Sequence, residues 1–453
     1  MNKKTIAGVF AALFLLLSLL PAAGMLLSRQ SVAAANETLS TPPKLLSSAG
    51  KINLSVLKDT TDYIADHFFL RNELVNAWAA LNAAVFKTSS EEQVLLGSDG
   101  WLFYASTLDD YMGRGMSDTE LKRAASNLAL IQESVESRGA KFIFTIAPNK
   151  NSLYPAQMPA FVPSAHETAN VERILPYFAS AGIHYRDLFS VFRERGEVLY
   201  YKTDSHWTDR GAALAADSIM DAFGKHVAYY GKEFSLSSEH RGDLYEMLFP
   251  TGKGTETAHS YADFSYSAAG NPNGGNAMRI ETANEGAEGT LLCWRDSFGI
   301  SLYPYLADSF GRALFLRSSS YDLTEIEALQ ADHVLIELVE RNLDWLIRNV
   351  PVMAAPQRKV ELTNAVFSDQ IVHADAKTDS KHDLVYVSGE LVFPYDGGAV
   401  YLCAGEASYE AFVTESNGKW FFHAYLAPEQ SEGLDYLCVE TDSALMCYSL
   451  QMK

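Results

Sequence analysis

The sequence predicts an exported protein of two parts: an α/β domain on a parallel sheet, then an all-β domain. Three observations carry that prediction. Short apolar runs recur between amphipathic helical stretches, and such runs suit strands of a parallel sheet covered on both faces. Beyond residue 356 helical patterning stops, and strand-like runs alternate with Gly, Asp, Asn and Ser turns. At the N-terminus, Lys3 and Lys4 precede an apolar stretch over residues 5–27, with no charge before Arg29.

That apolar stretch is about 34 Å long as a helix, enough to cross a hydrocarbon core of about 30 Å. Residues 1–27 therefore read as a signal-anchor, with the rest of the chain outside the cytoplasm. A cleavable signal peptide is the alternative, with Ala33-Ala34-Ala35 as the small-residue site. Residues 28–50, rich in Ser, Ala, Pro and Thr, read as a linker.

Residues 51–352 are expected to form the α/β domain. Apolar positions at helical spacing between 54 and 86 predict a helical segment, and 94–105 predict two short strands around Ser98-Asp99-Gly100. Helices are then expected at 118–136, 166–181, 209–223, 297–309, 323–330 and 341–348. Strands are expected at 141–147, 183–185, 290–294, 312–316 and 333–338, with an extended stretch at 198–201. Residues 231–289, rich in Gly, Ser, Asn and Tyr, interrupt the pattern and read as a long surface insertion. Residues 357–453 are expected to form a sandwich-like β domain. Three of the four cysteines lie there, so one local disulfide is possible by position.

The composition excludes some partners. With 36 basic and 56 acidic residues the formal charge is −20, which argues against nucleic acid. No C-x-x-C pair or Cys/His cluster is present, so neither a metal nor a cofactor is expected.

Two motifs can carry chemistry. Asp296-Ser297-Phe298-Gly299 follows a predicted strand and opens a helix. A serine there stands at the C-terminal edge of the sheet, beside N–H groups that favour an oxyanion. An ordinary N-cap reads the same way. In Asp204-Ser205-His206-Trp207, extended backbone would put Asp204 and His206 on one side. The carboxylate would then fix the imidazole tautomer and leave its other nitrogen for a nucleophile. A capping Asp, a His packed on Trp207 and a partial metal site are the competing readings. Together the motifs supply nucleophile, base and orienting acid. Ala147-Pro148-Asn149-Lys150, at another strand end, adds Asn149 and Lys150 as candidate oxyanion or substrate contacts, and a Pro-Asn turn is the plain alternative.

The ordered set Asp99-Gly100-Trp101-Leu102-Phe103-Tyr104, Ala147-Pro148-Asn149-Lys150, Thr203-Asp204-Ser205-His206-Trp207-Thr208 and Arg295-Asp296-Ser297-Phe298-Gly299, with the segment from Glu337 to Arg341, resembles the DHHW and alginate O-acetyltransferase-like proteins of the SGNH-hydrolase-like group. The resemblance implies a flavodoxin-like three-layer α/β/α fold. It implies Ser297 as nucleophile, His206 as base and Asp204 as the third member. It also implies a polysaccharide or cell-wall glycan as substrate and a membrane-bound O-acyltransferase as acetyl supplier. Arg295 replaces the glycine usual before Asp-Ser in hydrolase relatives, which makes it a further candidate at the oxyanion. The aromatic β domain, with Tyr395, Trp420, Phe421 and Tyr425, is compatible with glycan binding. The expected function is an extracytoplasmic O-acetyltransferase or acetyl esterase. The alternative is a non-catalytic glycan-binding or scaffold protein of the envelope.

Overall fold

In the computed structural model, described for residues 3–27, 39–46, 50–165, 169–261, 263–269 and 276–453, the α/β domain is organised around a seven-stranded sheet. Its order is Tyr185–Arg186, Lys141–Ala147, His333–Val339, Thr290–Trp294, Arg312–Leu316, Arg279–Ala283 and Ser267–Ala268. The first five strands run parallel, and the last two join through antiparallel pairings. The parallel strands have no solvent face, so both pleat surfaces are apolar. Phe142, Phe144, Ile146, Leu292, Trp294, Val334 and Ile336 pack on one side, with the helices Asp118–Glu136 and Asn170–Ala181. Ile143, Ala147, Leu291, Cys293, Leu335 and Val339 pack on the other, with Asp209–Ala222 and Gly299–Ser309. Strand periodicity thus builds a three-layer α/β/α domain.

The expected elements have local causes. The helix Asp118–Glu136 begins with a capping box between Ser117 and Glu120. Thr208 caps Asp209–Ala222 through Gly211 N–H at 3.2 Å. The helix expected from residue 166 is seen from Asn170, and residues 166–168 lie outside the described residues. The single helical segment expected over 54–86 is two helices, Val56–Asp66 and Arg71–Leu81, with a π turn at Asn82–Phe86. The break falls at Leu70, whose φ of 60° cannot continue a helix.

The stretch 231–289 is more than surface. It carries the hairpin Ser235–His240 with Glu256–Ser260, the short helix Asp243–Leu248 and both antiparallel edge strands of the main sheet. Ile280 on one of those edges is fully buried in the core.

The C-terminal domain is all β, as expected, but its sheet closes instead of dividing into two. Ala407–Ser416 pairs in turn with Val400–Ala404, then Tyr436–Glu440, Leu445–Met452, Val366–Asp379, Leu384–Glu390 and Lys419–Leu426. The last of these returns to Ala407–Ser416 and completes a barrel. Inside lie Val372, Val387, Leu402, Val413, Phe422 and Leu437. Cys438 and Cys447 face each other across adjacent strands and form a disulfide, while Cys293 and Cys403 are free and buried. Two of the four aromatics read as a glycan platform serve the domain boundary. The Tyr395 and Trp420 rings pack 5.0 Å apart, and Trp420 also meets the α/β core.

The helix Lys3–Leu27 is long and apolar enough over Thr5–Met25 to cross a membrane, and its described residues from Thr5 to Leu20 are exposed. The linker expected at 28–50 is described only at 39–46 and 50.

Candidate active site

Three parallel strands end at one rim and deliver the candidate residues there. Ser297 follows Thr290–Trp294, Asn149 and Lys150 follow Lys141–Ala147, and Glu340–Asn342 follows His333–Val339. The rim is where open α/β sheets bind ligands.

The turn carrying Ser297 is held by Asp296. Its Oδ1 accepts Phe298 N–H at 2.9 Å, and its Oδ2 accepts Val339 N–H at 2.7 Å and Asn342 Nδ2–H at 2.9 Å. One buried carboxylate thereby ties the serine turn to the neighbouring strand end. Gly299 opens the helix where the Arg295 stem crosses its backbone, leaving no room for a Cβ. Trp207, fully buried, donates its indole N–H to Phe298 O at 3.1 Å, which brings the histidine motif to the serine motif.

The geometry at the centre is a relay. Asp204 Oδ1 lies 2.7 Å from His206 Nδ1, and His206 Nε2 lies 2.9 Å from Ser297 Oγ. The backbone here is a turn, not the extended stretch expected. Asp204 Oδ1 also accepts His206 N–H at 2.9 Å, and that bond folds the carboxylate back onto the ring. Burial disfavours the charges of both groups, but each stabilises the other. The His206 imidazole is raised above its ordinary value, chiefly by Asp204 acting against desolvation. Asp204 is held well below the usual carboxylate range by His206 and His240, also against desolvation.

The remaining site candidates take other places. Lys150 Nζ is buried and donates to the carbonyls of Tyr201 at 3.2 Å, Lys202 at 2.9 Å and Asp204 at 2.6 Å. It fastens the loop that carries the acid. Burial lowers this ammonium to about 8, against the pull of Asp204. Asn149 is buried and donates its N–H to Glu340 Oε2 at 2.8 Å, in a separate small cavity with Asp110. Arg295 lies under the serine turn, with its guanidinium on Asp296 O at 3.1 Å and Ala277 O at 3.0 Å. The Lys150 and Arg295 side chains are thus engaged with backbone carbonyls, and Asn149 is held through its backbone N–H, instead of pointing at the relay as the sequence suggested.

Several site residues come from segments whose sequence gave no signal. His240 Nε2 reaches Asp204 Oδ2 at 3.0 Å, and its ring stacks on Tyr201 at 3.6 Å. Asp243 takes the Ser205 hydroxyl at 2.6 Å and lies 3.5 Å from His206 Nδ1. Glu256 accepts the N–H groups of Lys202 and Thr203, each at 2.7 Å. All three belong to the insertion. Gly242 lets that backbone close on Thr203, where a Cβ would collide with its carbonyl. Arg341 sits over the rings of Phe298 and Tyr104 and, with Arg317, Tyr201 and Met247, lines an open cleft of about 1100 Å³ around Ser297.

Asp204, His206 and Asp243 each present a ligand atom within 4.8 Å of the others, a set that a metal ion could use. Here the Asp204 and His206 atoms are already paired with one another.

A parallel three-layer sheet bearing a Ser–His–Asp cluster at its C-terminal rim defines an SGNH hydrolase-like domain. The family profile described as the SGNH hydrolase-like domain of acetyltransferase AlgX matches residues 94–276. The chain is 30% identical over 275 residues to the probable alginate O-acetylase AlgJ of Azotobacter vinelandii, covering 55% of this chain and 62% of that one. It is 28% identical over 195 residues to the AlgJ of Pseudomonas syringae pv. tomato, covering 40% and 48%. The chain thus spans about half to three fifths of these curated relatives. A DHHW family protein from Eubacterium siraeum has a similar structure, at 18% identity and a TM-score of 0.42, over 57% of this chain and 99% of that one. The chain resembles the alginate O-acetylation proteins, as its motifs indicate.

Proposed function

We propose that this protein is an extracytoplasmic polysaccharide O-acetyltransferase or acetyl esterase acting through an acetyl-serine on Ser297. The observation that carries the reading is the chain of contacts Asp204–His206–Ser297 at 2.7 and 2.9 Å. His206 Nε2 removes the Ser297 proton as Oγ attacks the acetyl carbonyl. The imidazolium, held by Asp204, returns that proton to the leaving oxygen. A sugar hydroxyl or water then attacks the acetyl-serine with His206 again as base, and Ser297 is released. Phe298 N–H is committed to Asp296, so the Ser297 and Gly299 N–H groups at the helix start are the backbone candidates for the oxyanion.

Arg317 and Arg341 line the cleft opposite Asp204 and Asp243, and with Asp204 engaged by His206 and His240 the two guanidiniums are the groups that would meet an anionic polysaccharide. The alginate O-acetylases among the relatives support a polysaccharide acceptor. Under this reading residues 1–27 anchor or export the chain, and a membrane-bound O-acyltransferase supplies acetyl groups. Incubation with an acetyl-ester reporter tests the mechanism. The native chain should turn over and accumulate one acetyl group on Ser297 by mass spectrometry, and Ser297→Ala should do neither. Glycan binding without turnover in both would instead establish the non-catalytic alternative. Turnover abolished by chelation and restored by metal would assign the Asp204–His206–Asp243 set to a metal.

A further inference from the structure

The helix Arg71–Leu81 is turned inside out relative to an ordinary surface helix. Its domain-facing side carries Ala79, fully buried, and Asn72, 8% exposed. Ala79 packs with Val94, Leu102, Leu244 and Leu248. Its large apolar residues point away. Leu74, Trp78 and Leu81 recur at spacings of four and three and are 54%, 57% and 46% exposed, and Leu70 and Val85 just beyond the two ends of the helix are exposed as well. Such spacing makes a single stripe. The preceding helix Val56–Asp66 buries no residue and exposes Leu57 and Ile64. A contiguous exposed apolar surface of this kind marks a contact.

The place of this surface in the fold says what covers it. The membrane-length helix Lys3–Leu27 ends against the corner between these two helices, with Gly24 directly on the Phe69 ring. The stripe therefore begins where the apolar span ends. The charge agrees. Between residues 39 and 90, Lys44, Lys51, Lys58, Arg71 and Lys87 face only Asp59, Asp62, Asp66 and Glu73, in a chain of net charge −20. Unlike the acidic chain as a whole, this segment is not repelled by an anionic surface. Trp78, at the middle of the stripe, is the residue type that favours the boundary between acyl chains and water.

We infer that the outward face of Val56–Asp66 and Arg71–Leu81 rests in the interfacial layer of a phospholipid bilayer, on the side where the first helix emerges. The stripe lies in the membrane plane at headgroup depth, as interfacial helices do. This contact is independent of the acetyl chemistry. It would hold the domain by two attachments instead of one flexible tether, and so fix the orientation of the cleft relative to the membrane.

The full chain in nanodiscs of phosphatidylethanolamine and phosphatidylglycerol provides the test, with acyl chains brominated near the headgroup or left unmodified. Bromination should lower the tryptophan emission of the parent, and Trp78→Phe should lose that drop, because Trp101, Trp207 and Trp294 are buried in the domain and Trp345 and Trp420 pack against the α/β core. Leu74→Asp, at an exposed position, should weaken the quenching of Trp78 while leaving the far-ultraviolet spectrum unchanged. Equal quenching in the parent and Trp78→Phe would overturn the inference. So would two chains per nanodisc with Trp78 shielded from aqueous iodide but untouched by bromine, which would assign the face to a second copy of the chain.

Discussion

His240 Nε2 stands 3.0 Å from Asp204 Oδ2, on the carboxylate oxygen opposite the one that meets His206. The acid is thus shared between two imidazoles, one from the histidine motif and one from the insertion. Asp243 N–H adds a second contact to Oδ2 at 3.1 Å. Together they hold the carboxylate in one rotamer, so that Oδ1 stays on His206.

From this follows a role for His240 in positioning. His240→Leu should lower kcat about ten- to a hundredfold with little change in KM, since a hydrogen bond to a charged group contributes about 1.5–3 kcal/mol. His240→Gln, which keeps an N–H donor, should recover much of the loss. Steady-state kinetics of both variants on an acetyl ester decide the matter, and equal rates for His240→Leu and the parent would remove the role.

The pH profile has a defined sign. A general base must be neutral, and His206 is raised above its ordinary value by Asp204, against desolvation. The rate should therefore climb with pH through a midpoint above about 6.5. Asp204→Asn should move that midpoint down and reduce kcat by a factor on the order of 10⁴, as loss of the acid does in other triads. A midpoint that does not move in Asp204→Asn would detach His206 from the rate.

Lys150 ought to show itself in stability and not only in rate. Its folded value is lowered from 10.5 to about 8, chiefly by burial. The unfolded chain then binds more protons between those values, so this group makes stability rise with pH across that window. The cost of burying the charge is fully present below about 8 and gone above 10.5. Lys150→Met should lack that contribution. It should also destabilise at neutral pH, because the carbonyls of Tyr201, Lys202 and Asp204 lose their donor. Urea midpoints of parent and variant, compared across that pH range, isolate the difference.

The barrel disulfide closes a short loop, Cys438 to Cys447, nine residues apart in sequence. Chain-entropy arguments assign such a loop about 2–3 kcal/mol. A reductant should therefore lower the urea midpoint of the native chain, and the double variant Cys438→Ala, Cys447→Ala should be insensitive to it. A reductant effect that persists in the double variant would detach the effect from this disulfide.

The sequence was most readable where structure is local. Apolar runs such as Lys141–Ala147 and His333–Val339 announce buried parallel strands, because nothing in them suits a solvent face. Asp204, His206 and Ser297 were legible because each sits in a short motif beside a predicted element, and the structure gathers these three. His240, Asp243 and Glu256 were not, since they lie in a stretch with little periodicity and act only when the insertion folds back over residues 201–206. Lys150 looked like a charge for a substrate, and only its burial among three carbonyls shows otherwise. Barrel closure depends on Phe412 meeting His423 while the same strand also pairs with Val400–Ala404. That double pairing has no signature in either strand alone.

Asn127, on the helix Asp118–Glu136, donates to Leu346 O at 2.8 Å and to Val413 O in the barrel at 2.7 Å, and its Oδ1 accepts Arg123 Nε–H at 2.9 Å. Arg123 continues the path to Gly398 O at 3.3 Å, and Arg358 joins Glu133 to Glu410. Buried amide and guanidinium groups thus find their partners across the domain boundary. Cutting the barrel away would remove these bonds and uncover to water the apolar boundary that Phe412 and Trp420 now cover. The barrel is accordingly not a detachable cargo module. The α/β domain and the barrel are therefore expected to melt in one transition, and two resolved calorimetric transitions of the full chain would count against it.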